Sequence, residues 1–380
     1  MKKCNNCGLP ETYETLQINN ESCNICMQFE YKNENIDWNV KKIEFNNIID
    51  KYKNKYDYDC IVPFSGGKDS TFTLLYLIKE YKLKPLVVQF DHHFMRSNLN
   101  ENNTNTFKKL GVDVIKFTPN WNLVKKLMLE SLIRKGDFCW HCHTGIFAYP
   151  MHIALKFNVP LIIWGEPSSE YTNYYNYEDG VEYVDEERFN RYVNLGITAE
   201  DMQGMIDNDG IDKRDFKPYI YPPRKELKKI DAMSICLGSF IPWDVKKQSK
   251  IIMDELDWKG DQVEGMPWDL YSYEKIECYM QGVRDYIKYL KRGYARVTQM
   301  SAIDLRNKRI SKEKAQSLIN EYEGKKPHSL DIFLEYLNIT EKEFNEIISK
   351  TVVPPNKPKF NSNEYSKKTW DFDLWYRENK

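Results

Sequence analysis

Phe64-Ser65-Gly66-Gly67-Lys68-Asp69-Ser70-Thr71 stands between a short apolar run, residues 59–64, and a stretch over residues 70–81 that reads as a helix. Two adjacent glycines let the backbone turn tightly and come close to an anion. The first N–H groups of a helix lack partners within it, and with the positive end of the helix dipole they point at whatever sits there. Lys68 adds a positive charge, and Ser65 and Ser70 add hydroxyl donors. Asp69 beside a phosphate either holds Mg²⁺ or caps the helix. The spacing is not that of the GxxxxGK nucleotide loop.

Outward from this turn, strands and helices alternate. Apolar runs at 85–90, 112–117 and 160–165 read as strands, with helical patterns at 102–110 and 123–135 and a further one at 146–157, interrupted or kinked near Pro150. Such alternation predicts an α/β fold with a doubly wound parallel sheet, whose strands are continuously apolar because helices cover both faces. A helix over 38–55 precedes the sheet. From 168 to about 224 the pattern breaks into a Tyr-, Asn- and acid-rich insertion, of the kind that carries function or forms a lid. Its residues 171–183 are expected to close over a substrate. Helices are expected at 273–292, 312–322, 330–337 and 342–350, and the tail after Val352, with Pro354, Pro355 and Pro358, is expected to be extended. The organisation read from this is a cysteine unit at 1–35, an α/β domain at 36–245 and a helical C-terminal region at 246–380.

Nine cysteines are present, and four form Cys4-x-x-Cys7 and Cys23-x-x-Cys26. Met1-Lys2-Lys3-Cys4-Asn5 leads into no apolar run, so no signal peptide is read, and no run of apolar residues is long enough to span a membrane. A cytoplasmic protein without a membrane partner is expected, and there paired CxxC motifs point to Zn²⁺ held by four thiolates. A unit this small would take its folding energy from the metal. A second cluster, Phe138-Cys139-Trp140-His141-Cys142-His143, is open to three readings: a second metal site through Cys139 and Cys142, a redox or nucleophilic pair, or a packed corner. Cys60, Cys236 and Cys278 read as isolated core residues.

Lys and Arg number 55 against 56 Asp and Glu, for a net charge of −1, which argues against nucleic acid as the main partner. The 26 tyrosines suit a pocket for a polar, ring-shaped ligand, although compositional bias explains them as well. Beyond the ends of the second and fourth strands lie Gln89, Asp91, His92 and His93, and Gly165 and Glu166. Ligands of open α/β sheets bind at such positions. Gly165 allows close approach. Glu166 could hold Mg²⁺, orient ammonia or bind sugar hydroxyls, or it could be a helix cap or ion-pair partner. Arg224 or Lys225 could close over a departing anion or simply be solvated.

The SGGKDS string of residues 65–70 resembles the PP-loop of the N-type ATP pyrophosphatases. The other motifs narrow this: the double CxxC, the 138–143 cluster, Leu161-Ile162-Ile163-Trp164-Gly165-Glu166, Ser239-Phe240-Ile241-Pro242-Trp243-Asp244, Tyr289-Leu290-Lys291-Arg292-Gly293-Tyr294 and Ile303-Asp304-Leu305-Arg306-Asn307. Together they resemble the N-acetyl sugar amidotransferases, which build acetamidino groups on bacterial surface sugars of the pseudaminic acid or lipopolysaccharide (LPS) type. The resemblance implies ATP bound through Ser65, Gly66, Gly67, Lys68, Asp69, Ser70, Gln89, Asp91 and Gly165, with Lys68, Asp69 and Glu166 catalytic. It implies Mg²⁺ with the ATP and Zn²⁺ on Cys4, Cys7, Cys23 and Cys26. It also implies an N-acetylated sugar substrate, and ammonia either free or from a separate glutaminase with a cyclase-like partner. Two other classes remain: a PP-loop tRNA-modifying enzyme (thiolase or lysidine synthase type), and a non-catalytic zinc-containing scaffold.

Overall fold

The computed structural model describes residues 1–172, 174–207, 209–360 and 363–369. A small hairpin, β1 (Ile18–Asn19) and β2 (Ser22–Cys23), is followed by helices α1 (Asn24–Glu34) and α2 (Trp38–Tyr52). The central sheet is built from β3 (Cys60–Pro63), β4 (Pro85–Phe90), β5 (Asp113–Phe117), β6 (Leu161–Trp164) and β7 (Met233–Cys236). The strand order is β5-β4-β3-β6-β7, and every pair is parallel. The chain therefore winds one way from β3 to β5 and the other way from β6 to β7. The reversal leaves a crevice between the carboxyl ends of β3 and β6.

Alternate side chains of each strand supply the two faces. Cys60 and Val62 of β3, Val87 of β4 and Ile163 of β6 pack against α3 (Lys68–Tyr81) through Leu74 and Leu77, with the helix Val245–Leu256 behind it. On the other face, Ile61, Leu86, Val88 and Ile162 meet Ala148, Met151 and Ala154 of α6 (Trp140–Phe157). The doubly wound parallel sheet expected from the sequence is what the structure has. Helices α4 (Ser97–Leu110) and α5 (Trp121–Lys135) complete the crossovers and stop at Gly111 and Gly136, both left-handed.

Several expectations about the elements need correction. The sheet has a fifth strand, β7, four residues long and hidden behind the insertion. The helix containing Pro150 is not interrupted: α6 runs unbroken for 18 residues, with one side packed on the sheet and Pro150 itself buried. The helix expected over 273–292 begins only at Gln281. The residues before it cross the carboxyl edge of the sheet, where Met95 bridges Cys278 and the Tyr279 N–H donates to the Phe94 carbonyl.

The C-terminal helices Gln281–Arg292, Ser329–Leu337 and Glu341–Ser349 share an apolar core with α5. The cysteine unit docks on the same region: Tyr13 stacks on Tyr294 with ring centroids 5.0 Å apart, and Gln299 donates to the Tyr13 hydroxyl. No helix among the described residues is long and apolar enough to cross a membrane.

Candidate active site

The loop between β3 and α3 is held by its own hydroxyls. Ser70 Oγ accepts from the N–H groups of Ser65 and Gly66 at 3.3 and 3.2 Å, and Ser65 Oγ accepts from Gly67 N at 3.3 Å. Gly66 has φ +87°, a conformation that penalises any side chain. A Cβ there would also come within 2.2 Å of Asn103 Oδ1, and one on Gly67 within 1.9 Å of Glu277 Oε1. Gly66 thus answers to conformation and space, whereas Gly67, with φ −70°, answers only to the space beside Glu277. Asn103 of α4 is buried, and neither amide atom has a hydrogen-bond partner. It is a polar group aimed at the loop with nothing to bind.

Beside the loop lies a cavity of about 170 Å³, lined by Ser65, Asp69 and Ser70, by Gly165 and Glu166 beyond β6, and by Lys275 and Glu277. It sits in the crevice that the strand order creates. Gly165 packs closely against α3: a Cβ would stand 3.0 Å from Thr73 Oγ1 and 3.2 Å from the Asp69 carbonyl. Burial, then the charge of Asp69, pushes the Glu166 carboxyl up to about 8. Asp69 Oδ1 is buried and unpartnered. An orphaned carboxylate oxygen beside a carboxyl that resists ionisation is a donor set that a divalent cation would satisfy.

Lys68 does not line this cavity. It is buried beneath the loop, with Nζ 2.8 Å from Asp69 Oδ2 and 2.8 Å from Glu274 Oε2. Glu274 is shared with Arg296 at 3.6 Å, and Arg296 with Asp285 at 3.6 Å. Lys68 thus ties the loop to the C-terminal region.

Gln89 is buried in β4 with an unpartnered Nε2. Asp91 is occupied by Lys116 at 2.7 Å and by the His93 N–H. Neither reaches the cavity. His92 is pushed down to about 4 and His141 and His143 to about 3, in each case chiefly by burial, so these imidazoles are neutral. Arg224 and Lys225 are exposed, and Arg224 lines a separate cavity between residues 183–190 and 221–234.

The four N-terminal cysteines converge. Cys4 and Cys26 are 3.9 Å apart at sulfur, Cys7 and Cys23 are 3.6 Å apart, and all four sulfurs lie within 4.8 Å of one another. Tetrahedral Zn–S bonds of ~2.3 Å require sulfurs about 3.8 Å apart. Around Cys139 and Cys142 no group of three ligand atoms within 4.8 Å of one another is found among the described residues. Cys139 is buried at the start of α6, its N–H bonded to Asp137.

The sequence reading missed the residues that come from elsewhere. Glu274, Lys275 and Glu277 fall within an expected helix, and the three-residue spacing of Tyr273 and Ile276 gives no signal against it, although the structure has turns there. Cys236, read as a core residue, lines the cavity and lies 3.8 Å from Arg188, which is itself paired with buried Glu182. The Tyr171 hydroxyl is buried and unpartnered near Lys68, Asp69 and Glu166, and its carbonyl accepts from Tyr13 of the cysteine unit.

Comparison with known proteins adds three findings. Residues 270–374 match the C-terminal domain of WbpG-like LPS biosynthesis proteins, so the segment that closes the cavity begins that domain. The uncharacterized protein MJ1599 of Methanocaldococcus jannaschii is 31% identical over 109 residues, which is 28% of this chain and 38% of that protein. The chain thus matches well under half the length of this curated relative. Among solved structures, the U34-tRNA thiolase NcsA from Methanococcus maripaludis with its 4Fe-4S cluster aligns over 72% of this chain and 86% of that one, at 13% identity. Its TM-score of 0.27 carries no argument.

Proposed function

We propose that the protein is an ATP-dependent amidotransferase acting on the N-acetyl group of a bacterial surface-glycan sugar. The observation that carries this is the contact between a glycine-rich anion loop at the sheet's reversal point and a WbpG-like segment that supplies Glu274, Lys275 and Glu277 to the same cavity. The amide oxygen of the sugar attacks the α-phosphorus of ATP. The bond to the bridging oxygen breaks, and pyrophosphate leaves with the electron pair. Ammonia then adds to the activated carbon and AMP departs with the original amide oxygen, leaving an acetamidino group. An amide oxygen is a poor leaving group and AMP a good one, so activation is chemically required.

The loop N–H groups and the start of α3 receive the pyrophosphate charge, and Asn103 offers its unpartnered amide. Mg²⁺ held by Asp69 and Glu166 would neutralise the triphosphate. Glu166 then has a second task, taking a proton from the incoming ammonia. Ammonia is supplied free or by a separate glutaminase, in the cytoplasm.

Glu166 sets the expected pH behaviour. Its folded value of about 8 lies above the ordinary 4.5, so the folded chain keeps a proton that the unfolded chain releases between those values. Without Mg²⁺, stability should therefore fall as pH rises through that window, and Glu166→Gln should flatten the pH dependence of the melting temperature there. With Mg²⁺ on the carboxylate, Glu166→Gln should lower turnover across the whole range. Unchanged turnover in the variant would remove Glu166 from the chemistry.

The route of the oxygen tests the reaction itself. A sugar labelled with oxygen-18 in its N-acetyl carbonyl should yield labelled AMP. Label retained in the sugar product, with unlabelled AMP, would exclude activation at the amide.

A further inference from the structure

Residues 273–278 lie outside the sheet and form a wall of the cavity. Within them Glu274 holds Lys68 from below, and Glu277 rests on Gly67. Between these two, Lys275 lines the cavity with Glu166, and its backbone is left-handed, with φ +53°. Lys82 and Lys308 share that conformation at the ends of helices, whereas Lys275 has it beside the cavity. Among the described residues its ammonium makes no ion pair or hydrogen bond, though the carboxylates of Glu166 and Glu274 are near enough to feel it. The loop's own lysine, Lys68, is by contrast engaged with Asp69 and Glu274 and is not among the residues that line the cavity.

We propose that Lys275, supplied by the WbpG-like region, is the cation that contacts the α-phosphoryl group of the nucleoside triphosphate as the bond to pyrophosphate breaks. This rests on reading the loop as an ATP site. Negative charge grows on the equatorial and leaving oxygens in the transition state, and a positioned ammonium is most effective there. Its strained backbone holds the side chain over the cavity. The C-terminal region is then a part of the catalytic site, and the loop alone is not sufficient for turnover.

The experiment compares the full chain with Lys275→Gly, Lys275→Met and Lys275→Arg. It measures binding of Mg²⁺-pyrophosphate and Mg²⁺-ATP by calorimetry, pyrophosphate formation, and melting temperature. Lys275→Gly relieves the left-handed backbone, so its melting temperature should hold or rise. Its kcat should nevertheless fall on the order of 10²- to 10³-fold, with KM for ATP changing far less. Lys275→Met should match it in rate, and Lys275→Arg should recover part of the loss. A stable Lys275→Gly variant with wild-type kcat overturns the inference alone, leaving the residue a turn former. A wild-type chain that binds neither ATP nor pyrophosphate overturns the ATP reading and the inference together.

Discussion

Lys68→Met should unfold far more readily than the wild type and release no pyrophosphate. Its ammonium is buried between two carboxylates, each at 2.8 Å. Removing one partner of a buried ionic group leaves charge without compensation and costs ~3–5 kcal/mol. Arg296 sits 3.6 Å from Glu274, too far to replace what Lys68 supplies. The stability and the chemistry can be separated. Glu274→Gln in the Lys68→Met background removes one orphaned charge and should restore part of the stability, read as the midpoint of urea unfolding. It should restore no turnover, because the loop is still not tied to the segment that carries Lys275. Recovered turnover in the double variant would show that Lys68 matters only for folding.

We propose that Cys4, Cys7, Cys23 and Cys26 hold zinc, whose loss should have the second large effect and be felt at a distance. Binding of a structural zinc is worth ~10–16 kcal/mol in small tetrathiolate units, and that free energy is folding free energy. The unit it folds grips the segment that follows Glu166. Tyr13 donates to the Tyr171 carbonyl, Gln28 accepts from the Tyr177 N–H, and Lys32 pairs with Glu170. Arg306, buried beside Cys7 and Cys26, donates to the Glu170 carbonyl from the other side. Cys23→Ser, or prolonged chelation, should therefore abolish metal content and expose residues near 168–177 to protease. Pyrophosphate formation should fall as well, although no cysteine of the unit touches the cavity. Metal loss without a new cleavage site in that segment would confine the zinc to the N-terminal unit.

The sheet was legible because its strands are short, apolar and bounded, and because Ser65 to Ser70 marks the one strand end where an anion can sit. The four cysteines were legible because two CxxC pairs leave few geometries. β7 was not, since Met233-Ser234-Ile235-Cys236 is too short to stand out after a long polar insertion. The role of Lys68 was not legible either. A lysine in an anion loop reads as a phosphate contact, and only the fold brings Glu274 beneath it, some two hundred residues later in the chain. The same distance hid Lys275. Nothing local distinguishes it from a surface lysine, and its left-handed backbone is a property of the turn. The insertion was expected as a lid, whereas its first part is fastened to the cysteine unit by Tyr13, Gln28 and Lys32.

The most direct test of the account is a single incubation of the purified chain with ATP, Mg²⁺, ammonium and a panel of N-acetylated bacterial nonulosonates and nucleotide sugars, following pyrophosphate and product mass together. The account expects pyrophosphate only when a particular sugar is present, and a sugar product lighter by the difference between O and NH. Pyrophosphate that appears with unmodified tRNA and with none of the sugars would contradict it.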